Sequence, residues 1–311
     1  MKIVFFGSSD FAAPVLEALS KTEEVALVVT QPDRKKGRSL KIAPTAVKKT
    51  ADSLGIKVYQ PENVNKKKSV EHLKSFKADL FVVVSFGQIL KKELLDIPAK
   101  YCLNVHASLL PKYRGAAPIN RALANGEKET GVTIIRMNEK MDEGDIMIKE
   151  PVEISINDDS VTLADKLSMK GSSLLLRAID LIKTGTANFV KQESSDATYA
   201  PKLKKQDGAI DWNLDAAEIC DRVRAFVPWP GCFTHLGPKV LKIWEVTPTG
   251  ISGYKGSSPG TILEIRKDGI LVSAGKGAIE IKVIQPEGKR RMKSEEFIAG
   301  HREISPGIKF K

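Results

Sequence analysis

Leu80-Phe81-Val82-Val83-Val84-Ser85 is apolar through Val84 and rich in β-branched residues. A strand buried on both faces reads this way, whereas a strand with one wet face would alternate. Such strands sit inside parallel sheets, whose neighbours are joined by helical crossovers. Toward the N-terminus, Lys2–Phe6 is a second apolar run. It reaches Gly7-Ser8-Ser9-Asp10, a turn feeding a helix with Val15, Leu16 and Leu19 on one face. Val25–Val29 is a third run, ending at Thr30-Gln31-Pro32-Asp33. Toward the C-terminus lie Tyr101–Val105 and Gly131–Met137, with helical stretches between most of the runs. This alternation predicts an open, mostly parallel α/β sheet with right-handed crossovers.

The pattern changes after about residue 190. Asp165–Ile182 predicts one long helix, with Leu167, Leu174, Leu175 and Ile182 on its apolar side, and a polar stretch follows at Gln192–Asp196. Val240–Val246, Gly260–Ile265, Gly269–Val272 and Ala278–Ile284 are short apolar runs separated by Gly, Pro and Lys. That spacing predicts a small antiparallel barrel or sandwich. The expected organisation is a first domain over 1–190, a linker over 191–205 and a second domain over 206–311. A chain of 311 residues has room for both.

Hydrophobic residues make up 42% and charged residues 28% of the chain. Those proportions exclude a disordered polymer. The opening apolar run is too short for a secretory signal, and no stretch approaches the ~20 apolar residues a membrane span needs. The cytoplasm is the expected location, and a monomer the expected state. Cys102, Cys220 and Cys232 are widely spaced, with no Cys-x-x-Cys pair, which argues against a disulfide framework or a zinc site. The net charge of +11 favours a polyanionic partner such as nucleic acid or an anionic membrane surface.

Asn104 and His106 are two apart at the end of a strand, so their side chains share a face. In an open α/β sheet, ligands bind at the carboxyl ends of strands. An isolated histidine is more often a satisfied core residue, but here it stands beside Asn104, and the chain has only four histidines. Leu109-Leu110-Pro111 then leaves the strand as an apolar shelf. Met141-Asp142-Glu143-Gly144-Asp145 follows the Gly131–Met137 strand, and alone it reads as an acidic turn in which Gly144 permits a tight or left-handed backbone. Paired with His106, Asp142 would orient the imidazole and hold it charged. Gly7-Ser8-Ser9-Asp10 lacks the full G-x-G-x-x-G fingerprint, which argues against a dehydrogenase. Asp33–Lys41 is a basic loop containing Gly37. It reads either as a solvated surface or as a phosphate-gripping lid made by Arg34, Lys35, Lys36, Arg38 and Lys41. Lys289, Arg290, Arg291 and Lys293 form a second basic cluster able to meet a nucleic-acid backbone.

Asn104–Pro118 resembles the signature of the 10-formyltetrahydrofolate-dependent formyltransferases. The resemblance makes Asn104, His106 and Asp142 the catalytic trio. It assigns the formyl donor, 10-formyltetrahydrofolate, to Ser108, Leu109, Leu110 and Pro111, joined by Phe86 and Gly87. Gln31–Lys41, Tyr199-Ala200-Pro201-Lys202-Leu203 and Val227-Pro228-Trp229-Pro230-Gly231 are similar to the branch that formylates the amino group of methionyl-initiator tRNA. The implied fold is a Rossmann-like catalytic domain followed by an oligonucleotide-barrel (OB-like) domain, with no metal and no covalent intermediate. It implies that Arg38 and its neighbours close on the acceptor stem while the barrel holds the stem's backbone. A formyltransferase acting on an amino-sugar nucleotide is the nearest alternative. It would share the trio but need neither basic cluster. A non-catalytic RNA-binding protein would not need the trio.

Overall fold

The Leu80–Val84 run is the middle strand of a seven-stranded sheet, and all five of its residues are buried. The computed structural model describes residues 1–36, 41–249, 257–301 and 304–311. In chain order the sheet-bearing part runs β1 (Lys2–Gly7), α1 (Ala12–Ser20), β2 (Glu24–Val29), β3 (Arg34–Lys36), β4 (Lys41–Ala43), α2 (Ala46–Ser53) and β5 (Val58–Tyr59). It continues with α3 (Lys67–Lys74), β6 (Leu80–Val84), α4 (Lys92–Leu95), β7 (Tyr101–His106), α5 (Pro118–Ala124), β8 (Glu129–Arg136), β9 (Asp145–Glu153) and α6 (Ser160–Lys183). The spatial order is β5-β2-β1-β6-β7-β8-β9. Neighbours are parallel from β5 to β7 and antiparallel from β7 to β9. This is the mostly parallel, Rossmann-like sheet that the alternation predicts.

Strand β9 has no counterpart in the sequence reading. Its first four residues are half-buried and the rest alternate between exposed and half-buried; it carries Lys149, Glu150 and Glu153, and Pro151 lies within it. An edge strand tolerates such residues because one row of its backbone groups needs no partner. It extends the antiparallel end of the sheet that β8 begins against β7. Phe6, Phe81 and Phe86 pack ring to ring within the core behind β1 and β6, with Phe6 centroids 5.0 Å from Phe81 and 5.4 Å from Phe86.

Two compact units result. One comprises Met1–Pro118, Glu129–Glu153 and Ala164–Ala200; the other comprises Ile119–Lys128, Ile154–Leu163 and Pro201–Lys311. The second contains α7 (Ala216–Ala225), β10 (Cys232–Leu236), β11 (Lys239–Thr249), β12 (Ile262–Ile265), β13 (Ile270–Ser273), β14 (Ala278–Pro286), β15 (Met292–Lys293) and α8 (Ser294–Gly300). Its strands form an antiparallel sheet ordered β10-β11-β14-β13-β12, with β15 on β14. The C-terminal tail closes this sheet. Gly307, Ile308 and Phe310 exchange backbone hydrogen bonds with Ile262 and Gly260 beside β12, while Lys311 pairs with His235 of β10. Closure removes the open edges that invite foreign strands. Phe310 is fully buried and stacks on Trp212 at 5.8 Å. No helix among the described residues is long and apolar enough to cross a membrane.

Candidate active site

Strand β7 lies between β6 and β8; both of its edges are paired as far as Asn104, and β8 alone carries the ladder on to His106. His106 is buried, and its Nε2 lies 3.0 Å from the carbonyl of Tyr113. A carbonyl can only accept, so Nε2 carries the proton of that bond. The other ring nitrogen, Nδ1, then faces Asp142, 3.6 Å from Oδ1. Asn104 donates from Nδ2 to the same Oδ1 at 3.3 Å. The amide, the imidazole and the carboxylate therefore converge, although Asp142 is 38 residues from Asn104 in sequence.

The loop between β8 and β9 carries Asp142. Because β8 runs antiparallel to β7, with Leu103 opposite Arg136, this loop starts three strand positions before His106 and folds back over it. Asp142 itself adopts φ +54°, a left-handed conformation that aspartate tolerates better than most residues. The sequence allows a tight or left-handed backbone at Gly144; the left-handed position falls on Asp142 instead. Gly144 is required by close approach, since a Cβ there would lie 2.0 Å from the carbonyl oxygen of Arg136. The second carboxylate oxygen of Asp142 accepts the backbone N–H of Gly115 at 2.8 Å. Gly115 has φ +123°, and a Cβ on it would meet the Ala200 carbonyl oxygen at 2.7 Å.

Several of these partners are backbone groups and leave no mark in the sequence: the Tyr113 carbonyl, the Gly115 amide, and the Thr198–Ala200 segment that pairs with Arg114. Two side chains were also passed over. Arg114 is 2% exposed and Gln192 is 5% exposed. The sequence places Gln192 at the start of a polar stretch; its amide bonds to Arg114 and to the carbonyls of Asp142 and Gly144. The available signal was Arg114 itself, an arginine followed directly by the small residues Gly115-Ala116-Ala117.

Of the stretch assigned to the formyl donor, Leu109 and Pro111 are half-buried and reach the surface. Ser108 and Leu110 lie fully buried beneath them. Ser108 donates its hydroxyl to the Lys112 carbonyl at 2.6 Å, and Thr133 ties the segment down by donating to Ser108 O at 2.7 Å. The Phe86 ring belongs to the core, while its carbonyl accepts from Ser8 and Gln31. Gly87 is exposed. Burial pushes the thiols of Cys220 and Cys232 up to about 12 and that of Cys102 higher still, so none is poised as a thiolate nucleophile.

The basic stretch forms an antiparallel hairpin. Arg34 faces Ala43, and Lys36 faces Lys41. Arg38 and Gly37 lie outside the described residues. Asp33, at the base of the hairpin, accepts from Lys48 at 2.6 Å and from Gln60 at 2.7 Å. In the second unit, Lys289, Arg290, Arg291 and Lys293 are all exposed. Arg290 pairs with Glu296, and the Arg291 guanidinium sits 3.4 Å from the ring centre of Trp244.

Residues 1–179 match the family model described as formyl transferase, and residues 202–302 match that of the formyl transferase C-terminal domain. The methionyl-tRNA formyltransferase of Geobacter metallireducens is 44% identical over 310 residues, spanning 99% of this chain and 98% of that protein. The enzyme of the same name from Macrococcus caseolyticus is 42% identical over 309 residues, with the same coverage of each. Among solved structures, the N-formyltransferase from Helicobacter canadensis, complexed with folinic acid and dTDP-3-aminofucose, superposes with a TM-score of 0.68 at 23% identity. It covers 92% of this chain and 99% of its own, and speaks for the fold alone. Matched in both of its domains and related over its whole length to proteins of one name, the chain belongs to the formyl transferase family.

Proposed function

We propose that this protein transfers the formyl group of 10-formyltetrahydrofolate to the α-amino group of methionine on initiator tRNA. Identity of 42–44% along the full chain to methionyl-tRNA formyltransferases carries this reading. A sugar-nucleotide acceptor is the weaker alternative, because the structures named for a sugar or solved with a sugar nucleotide share only 20–23% identity. The acceptor is a polyanion, which gives the net charge of +11 a use. A cytoplasmic location goes with such a substrate.

The chemistry follows from the three converging groups. The neutral amine attacks the formyl carbon, and negative charge develops on the formyl oxygen. An amide nitrogen carries two N–H groups. Asn104 turns one to Asp142 and keeps the other for that oxygen. His106 already donates from Nε2 to Tyr113, so a second donation from Nδ1 requires an imidazolium. Asp142, beside Nδ1, neutralises that cation and takes the amine proton directly or through water. Overall one proton leaves the amine nitrogen and one arrives at N10 as the C–N bond to the folate breaks. His106 or a relayed water returns it. Leu109 and Pro111 offer an apolar rim for the flat donor ring, with polar backbone groups beside them, the usual make-up of a small-molecule site.

The test is single-turnover formylation with charged initiator tRNA, run beside an aminated nucleotide-sugar. His106→Ala and Asp142→Asn should each lose about 10²–10³ in rate. Near-normal rates in either variant exclude the assigned roles. Preferred turnover of the sugar would exclude the acceptor.

A further inference from the structure

We infer that Gln192, oriented by Arg114, is a positioning residue that fixes the Asp142 carboxylate against His106. The inference rests on the reading in which Asp142 takes part in formyl transfer. Arg114 points both Nε and a terminal nitrogen at one atom, Oε1 of Gln192, at 3.1 and 2.9 Å. A guanidinium has only donors, so the oxygen of the amide must face it. The amide nitrogen is thereby turned the other way. It donates its two hydrogens to the carbonyls of Asp142 and Gly144, at 2.8 and 2.7 Å. All four hydrogen-bonding positions of one buried side chain are used, and two of them hold the peptide groups that flank Asp142–Gly144.

That grip matters because the segment does not hold itself. Asp142 is left-handed at φ +54°, a conformation that persists only where the surroundings over-determine it. Its carboxylate is aimed by the Gly115 amide, and Gly115 follows Arg114 directly. The same arginine therefore anchors both ends of the arrangement: through its neighbour it aims the carboxylate, and through Gln192 it holds the backbone that carries it. Glu143 adds a carboxylate 3.7 Å from Arg114, which offsets the charge of a guanidinium that is 2% exposed.

The chemistry explains why this position is glutamine. Glutamate has nearly the same shape and would pair with Arg114, yet its second oxygen would face two carbonyl oxygens at the distances the amide now spans. Gln192→Glu is therefore an electrostatic change made without a cavity. Misplacing a catalytic group by about 1 Å costs on the order of 10²-fold.

The experiment measures kcat and both KM values for Gln192→Glu and Asp142→Asn, and for the two combined. It also records the 15N chemical shifts of the His106 ring in each protein, with folding checked by thermal melting. The expected result has four parts. The Gln192→Glu kcat falls 10- to 100-fold, roughly as the displacement implies. Both KM values stay within about twofold. The His106 shifts move toward those of Asp142→Asn, and the combined variant is no slower than Asp142→Asn alone. Multiplying effects, or a slowed Gln192→Glu with wild-type His106 shifts, overturn the inference, because a merely structural residue would behave that way. If Asp142→Asn keeps the full rate, the catalytic reading fails, and the His106 shifts still decide the positioning claim.

Discussion

Replacing Gly144 by alanine should disable the enzyme without touching a catalytic group. The added Cβ would lie 2.0 Å from the Arg136 carbonyl oxygen, 2.9 Å from its carbonyl carbon and 3.2 Å from the Met137 Cα. All three are backbone atoms, so no side chain can swing away. An ordinary carbon–oxygen contact is about 3.3 Å, so the two chains must part by roughly 1.3 Å. That displacement falls where β8 and β9 begin to pair, at Arg136 and Asp145. It also moves the Gly144 carbonyl that holds Gln192, and Asp142 lies two residues away. Overpacking of this kind costs roughly 1–3 kcal/mol in stability. A shift of this size at the reacting groups costs on the order of 10²-fold in kcat. The assay is steady-state formylation with both substrates saturating, at a temperature well below the melting point of the variant. Gly300→Ala is the matched control, since a Cβ there meets nothing and Gly300 ends α8. It should gain up to about 1 kcal/mol from helix propensity and leave kcat unchanged. A Gly144→Ala enzyme with wild-type kcat and melting temperature would refute the claim that this close approach sets the position of Asp142.

Two further outcomes are expected. The hydrogen bonds from Lys48 and then Gln60 hold the Asp33 carboxyl below its usual range. A depressed folded-state value contributes stability above the unfolded value and loses it as pH falls through the folded one. The melting-temperature gap between wild type and Asp33→Asn should therefore be widest near neutrality and close in acid, and parallel curves down to acid would count against it. For the second unit, Lys289→Ala with Lys293→Ala should raise the KM for tRNA and flatten its log–log salt dependence by about 1.4–1.8, the two-phosphate value. Arg291→Ala should also lower stability, because that guanidinium lies over Trp244; an unchanged salt slope in the double variant would remove the cluster from the tRNA contact.

Strands β1, β2, β6, β7 and β8 were legible because a buried strand must be apolar whoever its neighbours are. Helix α6 was legible because its leucines recur at the helical period, and those residues are buried in the structure. The pairing of Asn104 with His106 on one face follows from strand geometry alone. Strand β9 was not legible, since an edge position asks little of its side chains. Nor was the closing of the second sheet, which depends on backbone hydrogen bonds from Gly307–Lys311 that any sequence could make.

The site divides along the same line. The amide and the imidazole two residues apart follow from local spacing, and the family resemblance adds a carboxylate far along the chain. Where the carboxylate stands was decided by tertiary structure: the antiparallel turn of β8, a left-handed Asp142, a glycine under the Arg136 carbonyl, and a buried Gln192 that in sequence only opens a polar stretch. Short-range patterns record what a residue does to its own backbone and to water. They do not record which distant peptide group it will hold, because that hydrogen bond exists only once the chain has brought the two together.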